Sequence, residues 1–388
     1  MESVKSAKVA LLNNRKANIG AGRYVFTLAR YLEPYQRIDH YFFDYENLLL
    51  EVLGNSNDKE TITKLNKSHI CDNALFSKMR LSKILCDARL AACVPADYDI
   101  YHFAGISSTQ MVKNIPVKAK KVITIHDLFL MTWSENVFEK VLSKRLIYGG
   151  TQYADRCIVI SEYTKQDLLK HFKNIPEESV HVVHLGVDKA FRKMPDTEYL
   201  DMYSKLNISH EDSLLLHISI PARRKNNILL INLLNELINN RGIRDLHLLK
   251  LGIWDVTAKK LLEKYNLNKY IVNLERVSES EMPKVYNMAD LFLFPSYGEG
   301  FGLPVLEAMS SGTPVIASNK TALPEVVGNA GILLDPDDTA GFADNVTQLI
   351  NDDSLYRYYQ KRGYERSKLF TWEETAKKTN KIYLSLLE

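Results

Sequence analysis

Each half of this chain repeats one rhythm, a short apolar run followed by an amphipathic stretch, and few folds accommodate it. Runs this short suit strands covered on both faces, and the amphipathic stretches suit the helices that carry the chain from one parallel strand to the next. The first half offers strands at 9–12, 100–103, 122–125, 157–160 and 180–183. The second half restarts at 214–218 and continues at 247–251, 270–274, 291–294, 314–317 and 331–333. The fold class is therefore α/β with two doubly wound units. A length of 388 residues exceeds one α/β core and favours two domains with a ligand cleft between them. The polar stretch 185–207, with Pro195, reads as a linker, which puts the boundary near Phe191 and the domains at 1–190 and 191–370. Residues 371–388 have helical composition, and Tyr383, Leu384, Leu386 and Leu387 should pack on a domain surface. Segment 48–67 is polar and reads as an excursion or mobile loop of the first domain.

Charge excludes some functions. Fifty Lys and Arg against 47 Asp and Glu leave a net +3, and no dense basic stripe marks a nucleic-acid footprint. Cys71, Cys86, Cys93 and Cys157 lack CxxC spacing, which suits reduced thiols in a cytoplasmic protein and implies no metal site. The start of the chain carries Glu2, Lys5 and Lys8 instead of a signal-peptide core, and no run reaches the roughly 18 apolar residues of a membrane span. Lys113, Lys118, Lys120 and Lys121 are compatible with peripheral contact to anionic lipid, although a solvated loop is the plainer reading.

Chemistry concentrates in residues 295–314, PSYGEGFGLPVLEAMSSGTP, between two expected strands. Gly298, Gly300 and Gly302 let backbone approach a ligand, and Pro304 suits the first turn of a helix. A helix N-terminus with its free amides suits a phosphate or diphosphate. Glu299 and Glu307, eight residues apart, can accept hydrogen bonds from sugar hydroxyls or serve as cap and surface charge, and physics alone leaves these level. Arg223-Arg224-Lys225-Asn226 follows the strand 214–218, a placement that suits a leaving diphosphate, although charge runs are usually solvated. Asn18-Ile-Gly20-Ala-Gly22-Arg-Tyr24 makes a second anion-tolerant turn without the third glycine of a dinucleotide fingerprint. His126 follows the strand 122–125, and Ser161 reads as a helix N-cap.

Glu299-Gly-Phe-Gly-Leu-Pro304, flanked by glutamates eight apart, resembles the signature of the retaining glycosyltransferases of family four. The likeness runs from about residue 9 to the C-terminus, is strongest over 282–335, includes Phe370-Thr-Trp372 and is slight over 41–97. It implies the GT-B fold, two Rossmann-like domains facing across a cleft with the C-terminal helix crossing back to the first. It also implies that Glu307 binds the donor ribose and that Glu299 lies by the transferred sugar. The backbone of Gly300, Phe301, Gly302 and Leu303 would hold donor sugar and diphosphate, with Lys225 and Arg224 on the leaving group. Gly20 and Gly22 would cover the donor phosphate, and His126 would touch the donor sugar.

Two departures matter. Ser219-Ile220 stands where many relatives carry Gly-Arg, which shifts that arginine's work to Arg224. Asn273-Leu274-Glu275 replaces the usual Phe-Leu-Gly and leaves the nucleobase unassigned. The resulting expectation is a metal-independent, mannosyltransferase-like enzyme without cofactor, acting in polysaccharide or glycoconjugate biosynthesis. It would move a hexose from GDP-mannose, or next from UDP-glucose or another UDP-sugar, to a glycan or lipid-linked hydroxyl. A sugar-nucleotide epimerase of the same fold and a non-catalytic sugar-nucleotide-binding subunit are the rival readings.

Overall fold

The structure, a computed structural model, describes residues 6–13, 20–44, 49–53, 59–64, 94–105, 109–115, 118–134 and 136–388. Asn18, Ile19, Cys71, Cys86 and Cys93 lie outside the described residues. The chain divides into two compact units, Met1–Gly186 with Trp372–Glu388, and Val187–Thr371.

The first unit is built on strands β1 (Lys8–Asn13), β2 (Arg37–Asp44), β3 (Leu49–Leu53), β4 (Lys59–Lys64), β5 (Ile100–Gly105), β6 (Lys120–Ile125), β7 (Arg156–Val159) and β8 (Val180–Val182). Their order across the sheet is β4-β3-β2-β1-β5-β6-β7-β8. All pairs are parallel except β2 with β3 and β3 with β4. Segment 48–67 is thus not simply a polar excursion, because β3 and β4 add an antiparallel edge; the remainder of that segment lies outside the described residues. Strand β2 escapes a search for apolar runs because Arg37, Asp39 and His40 interrupt it, yet Ile38, His40, Tyr41 and Phe42 are all buried.

The core of this sheet draws on Leu12, Tyr101, Phe103, Ile123, Ile125 and Val159. A chain of polar groups crosses it. Tyr24, on the helix Gly20–Leu32, places its hydroxyl 3.1 Å from Thr124 Oγ1, and that oxygen is 2.7 Å from His102 Nε2. His102 Nδ1 is 2.6 Å from the Tyr383 hydroxyl. Tyr383 belongs to the C-terminal helix Trp372–Leu384, which therefore joins the first unit's interior. Thr375 Oγ1 donates to the His184 carbonyl at 2.8 Å, and Gln36 Nε2 donates to Asn380 Oδ1 at 2.6 Å, both fixing the same helix.

The second unit has β9 (Ser213–Ile218), β10 (Leu246–Leu251), β11 (Ile271–Leu274), β12 (Leu291–Phe294), β13 (Val315–Ser318) and β14 (Ile332–Leu334), all parallel, in the order β11-β10-β9-β12-β13-β14. Leu215, Leu248, Leu293 and Ile316 pack with Leu230, Leu233 and Leu234 of the helix Asn227–Asn235. The stretch 185–207 is not a free linker. Phe191 is buried edge-on against Tyr286 with ring centroids 5.6 Å apart, and Ser310 Oγ donates to its carbonyl at 2.6 Å. Burying a phenylalanine contributes roughly 1.5–3 kcal/mol, enough to hold that segment on the second unit.

His40, His102 and His217 are buried, and burial lowers each imidazole to about 3. Between that value and the ordinary 6.5 the unfolded chain holds protons that the folded chain has released, so stability rises with pH across this window and falls on acidification. The urea midpoint should therefore drop steadily as pH is lowered from 6.5 towards 4; a flat profile over that range would contradict neutral burial of these rings.

Candidate donor site at the strand reversal

Strand order reverses between β9 and β12, and ligands of open parallel sheets bind beyond the carboxyl ends of the strands at such a point. Both motifs of the second half leave the sheet here. After β9 the chain makes a 3₁₀ turn, Arg223–Lys225, and then Asn226 at φ 53°, from which the helix Asn227–Asn235 starts. Asparagine tolerates the left-handed region better than most residues. Its Nδ2 donates to the carbonyls of Pro295 (3.3 Å) and Pro336 (2.6 Å), fastening the turn to the loops after β12 and β14.

The loops meet around Glu299. Lys225 Nζ donates to Glu299 Oε1 at 2.6 Å, and Arg224 Nη1 lies 3.5 Å from Oε2 while donating to the Gly298 carbonyl at 2.9 Å. Lys225 and Glu299 are both buried, so this is an ion pair largely removed from water, and the Phe294 ring centroid lies 5.1 Å from the ammonium. Tyr297 N donates to the Arg224 carbonyl at 2.8 Å. Thr321, at φ 54°, accepts from the Glu299 amide at 3.0 Å through Oγ1, a role with no local signal in the sequence.

Of the three loop glycines only Gly302 has a positive φ, 112°, so Gly298 and Gly300 are not there for left-handed backbone. Gly302 caps the helix Leu303–Ser310, and a Cβ there would come within 2.7 Å of Leu323 Cδ2. Pro304 sits in the first turn, where its missing N–H leaves no helical bond unmade. The Phe301 ring packs edge-on against Phe370, centroids 5.8 Å apart, and is buried, which leaves its backbone as the part able to reach a ligand. Leu303 is half-buried and Gly300 likewise. Glu307 is buried on the same helix and accepts from the Tyr286 hydroxyl at 2.7 Å.

Lys250 lies fully buried at the end of β10, a cation that sequence reading passed over. Its ammonium donates to the Ser219 (2.7 Å) and Leu251 (3.0 Å) carbonyls. Burial first, and then Lys225, lower its pKa to about 8. Gly252, at φ 106°, allows this packing, because a Cβ there would strike the Ser219 carbonyl oxygen that accepts from Nζ. His217 completes the layer, donating from Nδ1 to the Leu293 carbonyl at 2.8 Å with Nε2 2.8 Å from Ser219 Oγ. Among the described residues no group of three or more His, Cys, Asp or Glu side chains is arranged around a metal position.

The remaining expected residues lie in the first unit. His126 follows β6, half-buried, with Nε2 donating to the Ala104 carbonyl at 3.0 Å and its ring against Tyr24 at 4.9 Å. Gly20 and Gly22 do not form a separate turn; both belong to the helix Gly20–Leu32, neither has a positive φ, and a Cβ on Gly20 would meet nothing within 4 Å. Gly105 is crowded instead: a Cβ there would strike Asn13 Oδ1 and come 2.6 Å from Val25 Cγ2 as β5 ends beside that helix. Ser161 is an N-cap, accepting from Thr164 N at 3.1 Å.

Gly302→Ala should destabilise the protein by roughly 1–3 kcal/mol in denaturant titration, and an unchanged midpoint would refute the steric argument. Between pH 8 and 10.5 the unfolded chain keeps the Lys250 proton that the folded chain loses, so this residue makes stability rise with pH there. Lys250→Met should remove that rise, and an identical slope in both proteins would show that the lysine is not the source.

Comparison with known proteins fits this geometry. The family model described as "Glycosyltransferase Family 4" matches residues 19–191, and that described as "Glycosyl transferases group 1" matches 201–366. The O-antigen chain mannosyltransferase B of Escherichia coli is 26% identical over 375 residues, covering 94% of this chain and 95% of that protein. A glycosyltransferase structure from Rickettsia africae superposes with TM-score 0.74 at 19% identity, covering 99% of each chain. The Anabaena protein Alr3699/HepE in complex with UDP-glucose gives TM-score 0.73 at 16% identity, covering 98% of this chain and 100% of that one. With two Rossmann-like units and matches along both, the chain belongs to the GT-B glycosyltransferases of group 1, family four.

Proposed function

We propose that this glycosyltransferase is a retaining, metal-independent hexosyltransferase of the cytoplasm, without cofactor. It moves mannose from GDP-mannose to a hydroxyl of a glycan or lipid-linked acceptor in polysaccharide or glycoconjugate biosynthesis. UDP-glucose and other UDP-sugars stand next as donors. The observation that carries the reading is the convergence of Lys225 and Arg224 on Glu299 where β9 and β12 diverge, beside the helix start at Gly302. The choice of mannose is supported by likeness to the Escherichia coli O-antigen chain mannosyltransferase B.

The donor diphosphate draws the two cations from Glu299, and the freed carboxylate accepts hydrogen bonds from the transferred sugar. Backbone at Gly300, Phe301, Gly302 and Leu303 holds the sugar and diphosphate, and Glu307 takes the ribose hydroxyls. On the first unit, His126 contributes a hydrogen bond to the donor sugar, and the helix start at Gly20 and Gly22 covers the donor phosphate. The bond from the anomeric carbon to the leaving phosphate oxygen breaks as the acceptor oxygen bonds to that carbon on the same face. The acceptor proton passes to the departing phosphate, giving glycoside and nucleoside diphosphate with the anomeric configuration retained. Positive charge on Lys225 and Arg224 offsets the charge that builds on the leaving oxygen.

Lys225→Ala should slow transfer by roughly 2–4 kcal/mol, about 30- to 1,000-fold in kcat, whereas Glu307→Ala should mainly raise the donor KM. Thermal shift with a panel of sugar nucleotides, with and without EDTA, identifies the donor. Stabilisation that needs a divalent ion, or rapid donor turnover with no acceptor present, would overturn the proposal, the latter in favour of an epimerase.

A further inference from the structure

The first unit exposes more apolar surface in one short segment than its soluble fold accounts for. The helix Val137–Leu142 is capped by Asn136, whose Oδ1 accepts from Phe138 N at 2.9 Å, and it continues as a wider turn over Ser143–Ile147. Along it Val137 is 73% exposed, Phe138 61% and Val141 50%, and Trp133 just before it is 38% exposed. Such side chains are ordinarily buried, and when clustered they mark an interaction surface.

Glu139 on the helix itself is exposed and accepts from the Ser134 hydroxyl, but the depression beside the helix is basic. Val141 also edges this open depression of about 830 Å³, whose lining includes Lys113, Lys144, Arg145, His171 and Lys173 and, among the described residues, no carboxylate. Among the described residues no carboxylate lies within ion-pairing distance of Lys113, Lys144 or Lys173. In a chain with a net charge of only +3 this concentration is local. The lysines at 118, 120 and 121 add little to it, since Lys120 and Lys121 open β6 with half-buried side chains.

We propose that this face docks on a bilayer surface rich in anionic phospholipid, with Trp133, Val137, Phe138 and Val141 entering the interfacial layer and Lys113, Lys144 and Lys173 meeting headgroup phosphates. A free phosphate accounts for the lysines but gives no role to four exposed apolar side chains, whereas an anionic bilayer uses both. No helix among the described residues is long and apolar enough to cross a membrane, so the contact is peripheral. The inference goes beyond the transfer reaction and stands whether or not the acceptor is lipid-linked.

The full chain should co-sediment with phosphatidylcholine vesicles containing phosphatidylglycerol, less so as salt is raised, and not with phosphatidylcholine alone. Of its three tryptophans, Trp254 and Trp372 are buried, so a blue shift on vesicle binding should report Trp133 and vanish in Trp133→Phe. Phe138→Ser with Val141→Ser should weaken binding at least about tenfold, and Lys144→Ala or Lys173→Ala each about fivefold. Melting curves check folding, and transfer to a water-soluble acceptor in vesicle-free buffer should be unchanged in all of these variants. Equal binding to neutral vesicles, no Trp133 shift, stabilisation by inorganic phosphate without vesicle binding, or loss of vesicle-free transfer would each overturn the proposal.

Discussion

A buried ion pair stabilises a fold only when its geometry is good and its remaining hydrogen-bonding capacity is met; otherwise removing two charges from water costs more than their attraction returns. The Lys225–Glu299 pair sets that requirement for the second unit, and the surrounding residues meet it. Arg224 supports the carboxylate from one side and anchors the loop through the Gly298 carbonyl, Thr321 holds the Glu299 amide, and Asn226 ties both loops to Pro295 and Pro336. These residues leave β9, β12, β13 and β14, so the pair is possible only because a parallel sheet brings the carboxyl ends of those strands to one edge.

A second burial problem lies beneath. Lys250 and His217 are both enclosed, and the protein keeps His217 neutral while giving Lys250 two carbonyls instead of a carboxylate. Lys225, in the turn after β9, and Lys250, on the neighbouring β10, thus act on each other; Glu299 pairs with Lys225, and the acid that bears on Lys250 is Asp255. The positive excess is held by backbone that only Gly252 and left-handed Asn226 allow.

Strand runs rich in Leu, Ile and Val were legible from periodicity alone, and β9 to β14 fall within a residue or two of expectation, because a strand covered on both faces must be apolar. The antiparallel edge was not, since β2 hides a buried His40 among charged residues and β4, KETITK, has no apolar run. Glu299, Glu307, Arg224 and Lys225 stood out because several polar or glycine residues share a short stretch. Thr321, Gly105 and Lys250 did not, because each acts on a partner distant in sequence, and only the folded sheet shows which partner that is. Which glycine has a left-handed backbone was likewise hidden from composition: of the three in the loop after β12 only Gly302 has a positive φ, and Gly20 and Gly22 lie inside a helix.

The hydroxyl of Tyr383 on His102 carries a temporal consequence. Because the helix Trp372–Leu384 fills part of the first unit's interior, that unit lacks its final side chains until residues beyond 371 have left the ribosome. The second unit, continuous from Val187 to Thr371, has all of its own sequence before then. The order in which the cores can close therefore runs against the order of synthesis: the half made first is the last able to complete its interior, and until then the apolar surface that the helix covers, Tyr24 beside Trp372 included, stays open to water.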